Sequence, residues 1–340
     1  MNMKDASINN RCLTIIAEIA SAHGGDVNLL KKMIASANAT GANFIKIQIY
    51  QFDQLVAGNN DKFQDLKTIE LSQSEWLEIL DYASEINANL IAEVFDQESL
   101  MLLKGRSEIH GFKIPTADIT DIDFIDLICK ENKTIFLGIG GATNIEIEKA
   151  LECLKSYPDI NFVLLHGIQS FPTKVEDCLL SRIPYLKEKY NCEIGYADHI
   201  DAEDSVLSFT IPAIAVGMGA TVIEKHITLD REKKGFDYFS SLNPKEFSDF
   251  IAYIHSAKES IGPETNLNLT AAEITYRNNM KKFAILESPI LAGSLLQSAS
   301  IKYKRTSIPG MTRGEIDLHI EKKVLQNFEA GHILQEENFE

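Results

Sequence analysis

A chain of 340 residues is long for a single core, and that length predicts a main domain with a small appendage. Hydrophobic residues at 45% and charged residues at 24% are proportions of a soluble globular protein, and apolar stretches such as 211–218 fall far short of a membrane span. A formal net charge of −16 with no long Lys/Arg run argues against nucleic acid or an anionic membrane surface as a partner, so an anionic ligand must be held by local lysines.

The N-terminal stretch 1–10 has no apolar signal core. Cys12, Cys129, Cys153, Cys178 and Cys192 are scattered without a C-x-x-C pair and read as reduced thiols, which makes the cytoplasm the expected compartment. Along the chain, short apolar runs that read as buried strands fall at 12–20, 43–50, 89–96, 111–118, 133–141, 162–168, 193–200 and 221–228. Amphipathic runs such as 72–87, 121–132, 144–156 and 202–218 alternate with them. Eight β-α repeats within 1–262 predict an α/β protein of the (β/α)8 TIM barrel type, and no G-x-G-x-x-G follows the first strand to favour a dinucleotide fold. A last helix at 243–261 opens on Asn243-Pro244 and is stopped by Gly262-Pro263. A linker is expected at 263–275, followed by a small β-rich domain at 276–340, whose apolar pieces 283–286, 318–323 and 327–333 are broken by Gly293, Gly310 and Gly331. A domain of that size has a marginal core and is expected to lean on the barrel or on a second subunit.

Strands of a parallel barrel are covered on both faces, so a charge inside one needs an explanation. In the second strand, alternation puts Ile45, Ile47 and Ile49 toward the helices and Lys46 and Gln48 into the barrel. Lys113 repeats the pattern on strand four, and Glu18 and Glu224 do so with carboxylates on strands one and eight. Two ammonium groups near the barrel mouth can bind a phosphate or carboxylate; the plainer alternative is a structural ion pair inside the barrel. His199 and His226 close strands seven and eight, a β-α-β unit whose strand ends share one edge, so the imidazoles can converge on one metal ion or one anionic substrate. Two unrelated core histidines are the alternative. Together these residues suit a phosphorylated acid substrate and a divalent ion. The loop 137–144 can offer backbone N–H groups to an anion, His23 lies at the right edge for substrate contact, and Asp237 can bind substrate hydroxyls. Trp76, with Ile79 and Leu80 at helical spacing, reads as core.

These residues resemble the sialic acid synthase family, the N-acetylneuraminate synthase type that includes legionaminic and pseudaminic acid synthases. The likeness covers almost the whole chain: Ala17-Glu18-Ile19 with His23 and Gly25, Ile45-Lys46-Ile47-Gln48, Phe112-Lys113-Ile114, Ala197-Asp198-His199, and above all the run from Glu224-Lys225-His226 to Leu229-Asp230-Arg231. Asp237 and Ser241 fit the segment that follows. In the tail, Ala292-Gly293, Lys304-Arg305 and Pro309-Gly310-Met311 resemble an antifreeze-like (SAF) domain. The resemblance implies a metal-dependent transferase that condenses phosphoenolpyruvate with an open-chain hexosamine-type sugar, such as N-acetylmannosamine, into a sialic-acid-like 3-deoxy-nonulosonic acid plus phosphate. His199 and His226 would hold Mn²⁺ or Mg²⁺, Lys46 and Lys113 would bind the donor, Glu18 would orient sugar hydroxyls, and Asp118 would carry a proton. His23, Gln48, Gln169 and Asp237 would bind substrate. Arg305 would reach the substrate of the partner in a domain-swapped homodimer.

Three hydroxyls usual in the family are replaced here, by Glu93, Gly138 and Ala197, and Glu93 beside a bound phosphate would be repulsive unless it pairs with a lysine or turns away. The chain therefore reads as a divergent member. Two alternatives remain: a pyruvate-dependent aldolase forming a Schiff base on Lys113, and a non-catalytic sugar-binding relative.

Overall fold

The computed structural model describes residues 13–58, 60, 63–262 and 268–340. Eight parallel strands, β1 (Thr14–Glu18), β2 (Phe44–Ile49), β3 (Leu90–Val94), β4 (Ile109–Ile114), β5 (Thr134–Gly138), β6 (Phe162–His166), β7 (Glu193–Asp198) and β8 (Val222–Ile227), pair in sequence order, and β1 pairs with β8 to close the barrel. A short β9 (Ser241–Leu242) extends the edge of β8. The strands are short because each needs only to cross the barrel once, and helices between them cover the outer face. Ile45, Ile47 and Ile49 are buried against those helices, as alternation predicts. Inside, Ile16, Phe44, Ile91, Phe136, Val163, Leu165 and Val222 form a separate apolar plug. Continuing two residues along several strands raises the chain from this plug to a charged layer of Glu18, Lys46, Glu93, Lys113 and Glu224.

Helix starts follow local chemistry. Ser72 with Glu75 and Thr143 with Glu146 form capping boxes, and Trp76 is buried with Ile79 and Leu80, as expected for core. The helix Pro244–Ile261 begins at Pro244, with Asn243 N–H donating to Glu246 Oε2 at 2.8 Å.

Three boundaries differ from the sequence reading. The strand expected at 111–118 ends at Ile114, because Pro115 has no N–H for the ladder; Thr116–Asp118 form a single 3₁₀ turn, so Asp118 stands in a turn. The helix expected from residue 202 begins at Leu207, since Asp201 accepts from Glu203 N–H and Asp204 from Val206 and Leu207 N–H, tying the backbone into turns. The linker expected at 263–275 is helical from Ala271, where a Thr270–Glu273 capping box starts the helix Ala271–Met280; residues 263–267 lie outside the described residues. Cys12, with the start of the first expected strand, also lies outside them, and Cys129, Cys153, Cys178 and Cys192 are free thiols.

The chain divides into two compact units after Gly262. The second unit carries an antiparallel pair, β10 (Phe283–Leu286) with β11 (Ile301–Lys304), and single antiparallel bridges such as Ile290 to Phe328 and Val324 to Phe339. Its own core gathers Ala284, Leu286, Leu296, Ile316, Val324, Phe328 and Leu334. The expected pieces 318–323 and 327–333 contribute bridges rather than strands. No helix among the described residues is long and apolar enough to cross a membrane.

Candidate active site

Strand register assembles the charged layer. Glu18 is the direct partner of Lys46 across β1 and β2, Gln48 of Glu93 across β2 and β3, and Glu93 of Lys113 across β3 and β4. Lys46 Nζ pairs with Glu18, with Glu93 at 3.1 Å and with Glu224 at 2.9 Å. Lys113 Nζ lies 3.4 Å from Glu93 and 3.2 Å from Glu224. Glu224 is thus the hub, with both lysines on Oε1 and its buried Oε2 without a hydrogen bond. The question posed by Glu93 has an answer in this geometry: it pairs with both lysines.

Burial pushes the Glu224 carboxyl up, but Lys113 and Lys46 more than reverse this and hold it below the ordinary carboxylate range. Burial alone would lower Lys113; Glu224 and Glu93 overcome it and hold the ammonium above the ordinary lysine range. Glu18 has a second partner besides Lys46, since its Oε1 accepts Ala20 N–H at 2.5 Å. Gln48 donates to Glu93 Oε2 at 3.0 Å.

Above this layer the two histidines do converge. The His199 and His226 rings lie 5.3 Å apart, centroid to centroid, and Phe171 presents its edge to both at 4.9 and 5.7 Å. Each imidazole is buried, and the Nδ1 atom of each has no hydrogen-bond partner. Burial lowers His199 to about 3 and His226 well below its usual range, His199 and Lys46 adding to the effect on His226, so both rings are neutral at pH 7. Neutral imidazole with a free ring nitrogen is the form that ligates a metal. Among the described residues no group of three His, Cys, Asp or Glu side chains gathers to hold an ion. The donors present at this mouth for an ion are the two buried imidazoles with their unpartnered Nδ1 atoms.

A small cleft beside the histidines is lined by Lys113, Thr116, Gly138, Leu165, Gly167, Gln169, Ala197 and His199. It brings together Lys113, Gln169 and His199 and explains one lost hydroxyl: a Cβ at Gly138 would sit 3.1 Å from Thr116 N and Oγ1, so Thr116 occupies that space and faces the cleft. At Gly140 a Cβ would meet Gly167 O at 1.7 Å, so this glycine serves close packing of two loops. The helix start after the loop is capped by its own Thr143 and Glu146, Glu146 Oε2 accepting Thr143 N–H at 2.7 Å, which leaves the anion reading of the loop 137–144 without support there.

Asp118 has a buried Oδ2 without a partner, and burial, then Glu93 and Asp121, push it up to about 6. Asp237 accepts Ser21 N–H on Oδ2 at 3.3 Å, and burial raises its carboxyl, against the Ser21 bond and the Lys46 charge. His23 is turned into the protein: Nδ1 accepts Gly25 N–H at 3.0 Å and the ring meets the edge of Trp76. Arg305 lies in the second unit, exposed, with Nε donating to Met280 O at 3.3 Å.

Sequence reasoning missed Phe171 and the pair Asp198–Lys225. The signal for Phe171 was only its place after the sixth strand. Asp198 and Lys225 are direct strand partners, joined at 2.5 Å and wholly buried. Each precedes one of the histidines in sequence, on the opposite face of its strand.

The NeuB family model matches residues 33–266. The chain is 30% identical to a pseudaminic acid synthase of Campylobacter jejuni over 96% of each chain. It is 28% identical to the N,N'-diacetyllegionaminic acid synthase of the same species, over 95% of this chain and 98% of that protein. Among solved structures, a sialic acid synthetase from Leptospira borgpetersenii in complex with citrate superposes with a TM-score of 0.73 at 32% identity, covering 82% of this chain and 96% of that one.

Proposed function

The chain belongs to the NeuB family, and from that premise we propose that it condenses phosphoenolpyruvate with the open-chain aldehyde of a hexosamine-type sugar, giving a 3-deoxy-nonulosonic acid and inorganic phosphate. The observation that carries this reading is the stacking of a buried two-lysine layer beneath two neutral imidazoles, each with an unpartnered Nδ1, at one barrel mouth. Lys46 and Lys113 bind the donor's phosphate and carboxylate. C3 of the enol forms a bond to the aldehyde carbon, and the aldehyde oxygen takes a proton. Water then adds at C2, the C2–O bond to phosphate breaks, and a ketone remains. A divalent ion, Mn²⁺ or Mg²⁺, held by His199 and His226 would supply Lewis-acid polarisation of the aldehyde carbonyl. Asp118, pushed up to about 6, exchanges protons near neutral pH at the edge of this site. Glu18 holds Lys46 and would orient sugar hydroxyls, Gln169 lines the cleft, and Gln48 and Asp237 would meet the substrate, while His23, turned into the protein, steadies the loop after β1. The second unit serves as an antifreeze-like (SAF) domain whose Arg305 completes the site of a partner chain.

The aldolase alternative needs Lys113 with a lowered pKa to form a Schiff base. The carboxylates around Lys113 do the opposite. The test of the condensation is phosphate release from phosphoenolpyruvate with N-acetylmannosamine, its diacetamido-trideoxy relatives and unacetylated hexoses, run with Mn²⁺ and again after EDTA. Release with at least one amino sugar, lost in EDTA and restored by metal, is the expected result. No release with any acceptor would reject the reading, and unchanged turnover in EDTA would reject the metal.

A further inference from the structure

The two lysines assigned to the donor do not stand free. Glu93 is fully buried in β3 between the strands that carry them, 3.1 Å from Lys46 Nζ and 3.4 Å from Lys113 Nζ, and its Oε2 also accepts from Gln48 at 3.0 Å. The placement is imposed by register, because Glu93 is the strand partner of Gln48 on one side and of Lys113 on the other. With Glu18 and Glu224, the layer gathers three carboxyl groups around two lysines, and burial lowers Lys46 against the opposing pull of Glu224 and Glu93. Burial would favour the neutral acid at Glu93, but Lys113 and Lys46 outweigh it and keep the group ionised. An anion arriving at these lysines therefore meets a carboxylate already in place.

We propose that Glu93 is a specificity-determining residue of this site, a resident carboxylate that competes with the incoming anion for Lys46 and Lys113 and must yield them before the donor binds. The inference rests on the donor reading given above. Its consequence is selectivity. A ligand that offers a phosphate alone gains only the lysine contacts that Glu93 gives up, whereas a donor bearing both phosphate and carboxylate gains more than is lost. Inorganic phosphate, the product, is then held weakly and leaves.

Glu93→Gln tests this with the same shape and without the charge. Glu93→Thr is a second neutral variant of a residue type suited to strands. Binding of phosphoenolpyruvate and of inorganic phosphate is measured by calorimetry on the full chain, with thermal unfolding to establish that each variant is folded. The expected result is at least tenfold tighter binding of both anions in the neutral variants, with the larger factor for phosphate. Equal or weaker anion binding in a folded variant overturns the proposal and makes Glu93 a strut for the lysines. If wild type turns over phosphoenolpyruvate but the variants show no gain, Glu93 fails while the donor reading stands. If phosphate binding tightens tenfold but phosphoenolpyruvate is neither bound nor consumed, the competition stands and the donor reading fails.

Discussion

Asp118 carries a folding cost that can be measured. A carboxyl in the turn after β4, with Oδ2 buried and unpartnered, is pushed from the usual 3.8 up to about 6 by burial, Glu93 and Asp121. A raised folded-state value means that the folded protein holds this proton more tightly than the unfolded chain. Stability is therefore lost as pH rises from about 4 to about 6 and stays lower above that. Asp118→Asn removes the ionised form, so it should stabilise the protein by about 1–3 kcal/mol at pH 8 and by little at pH 4, while lowering turnover. Unfolding curves at the two pH values check this. A variant less stable than wild type at pH 8 would mean that the ionised carboxylate has a partner. The neighbouring Glu93 shows why single residues are legible only in part: its strand and its inward face follow from alternation in Leu90–Val94, but its partners depend on register with β2 and β4. Short-range pattern does not encode register between strands.

At the scale of elements, β8 holds His226 and β7 ends one residue before His199, and the fully buried Asp198–Lys225 pair ties these strands on the face turned away from the barrel interior. Lys225 Nζ also donates to Ile200 O at 3.3 Å, which fixes the chain just past His199. Lys225→Met strands a buried carboxylate and should cost about 3–5 kcal/mol, whereas the double variant Asp198→Asn with Lys225→Met should recover most of that loss. Denaturant unfolding of the two single variants and the double one gives the coupling; additive losses would show that the strands do not depend on the pair. The sequence made the strand-end histidines visible because a β-α-β unit returns both ends to one edge. It hid the pair behind them, since an outward charge on a barrel strand has no partner that periodicity can name. Turn chemistry limited the helix and strand ends in the same way: Pro115 stops β4, and Asp201 and Asp204 delay the helix Leu207–Gly217.

For the whole molecule, eight repeats of strand and helix sufficed to predict the barrel, because its closure needs only short parallel strands in sequence order. The helix Ala271–Met280 was hidden by the polar run before it, although its Thr270–Glu273 capping box is written in the sequence. What periodicity does not carry is which barrel the second unit serves. That unit has a core of modest size and presents Leu291 and Leu318 largely exposed, at 68% and 74%. In the swapped dimer proposed above, Arg305 of one chain works with His226 of the other. Co-expression of an Arg305→Ala chain with a His226→Ala chain should then restore part of the activity that each variant lacks alone, since one hybrid site pairs an intact barrel with an intact tail. Purified heterodimers carrying two different tags, assayed for phosphate release, measure the recovery, with one intact site in two setting its ceiling at about half of wild type. Heterodimers without recovery, or an active enzyme that light scattering finds monomeric, would place Arg305 outside the reaction and leave each barrel to complete its own site.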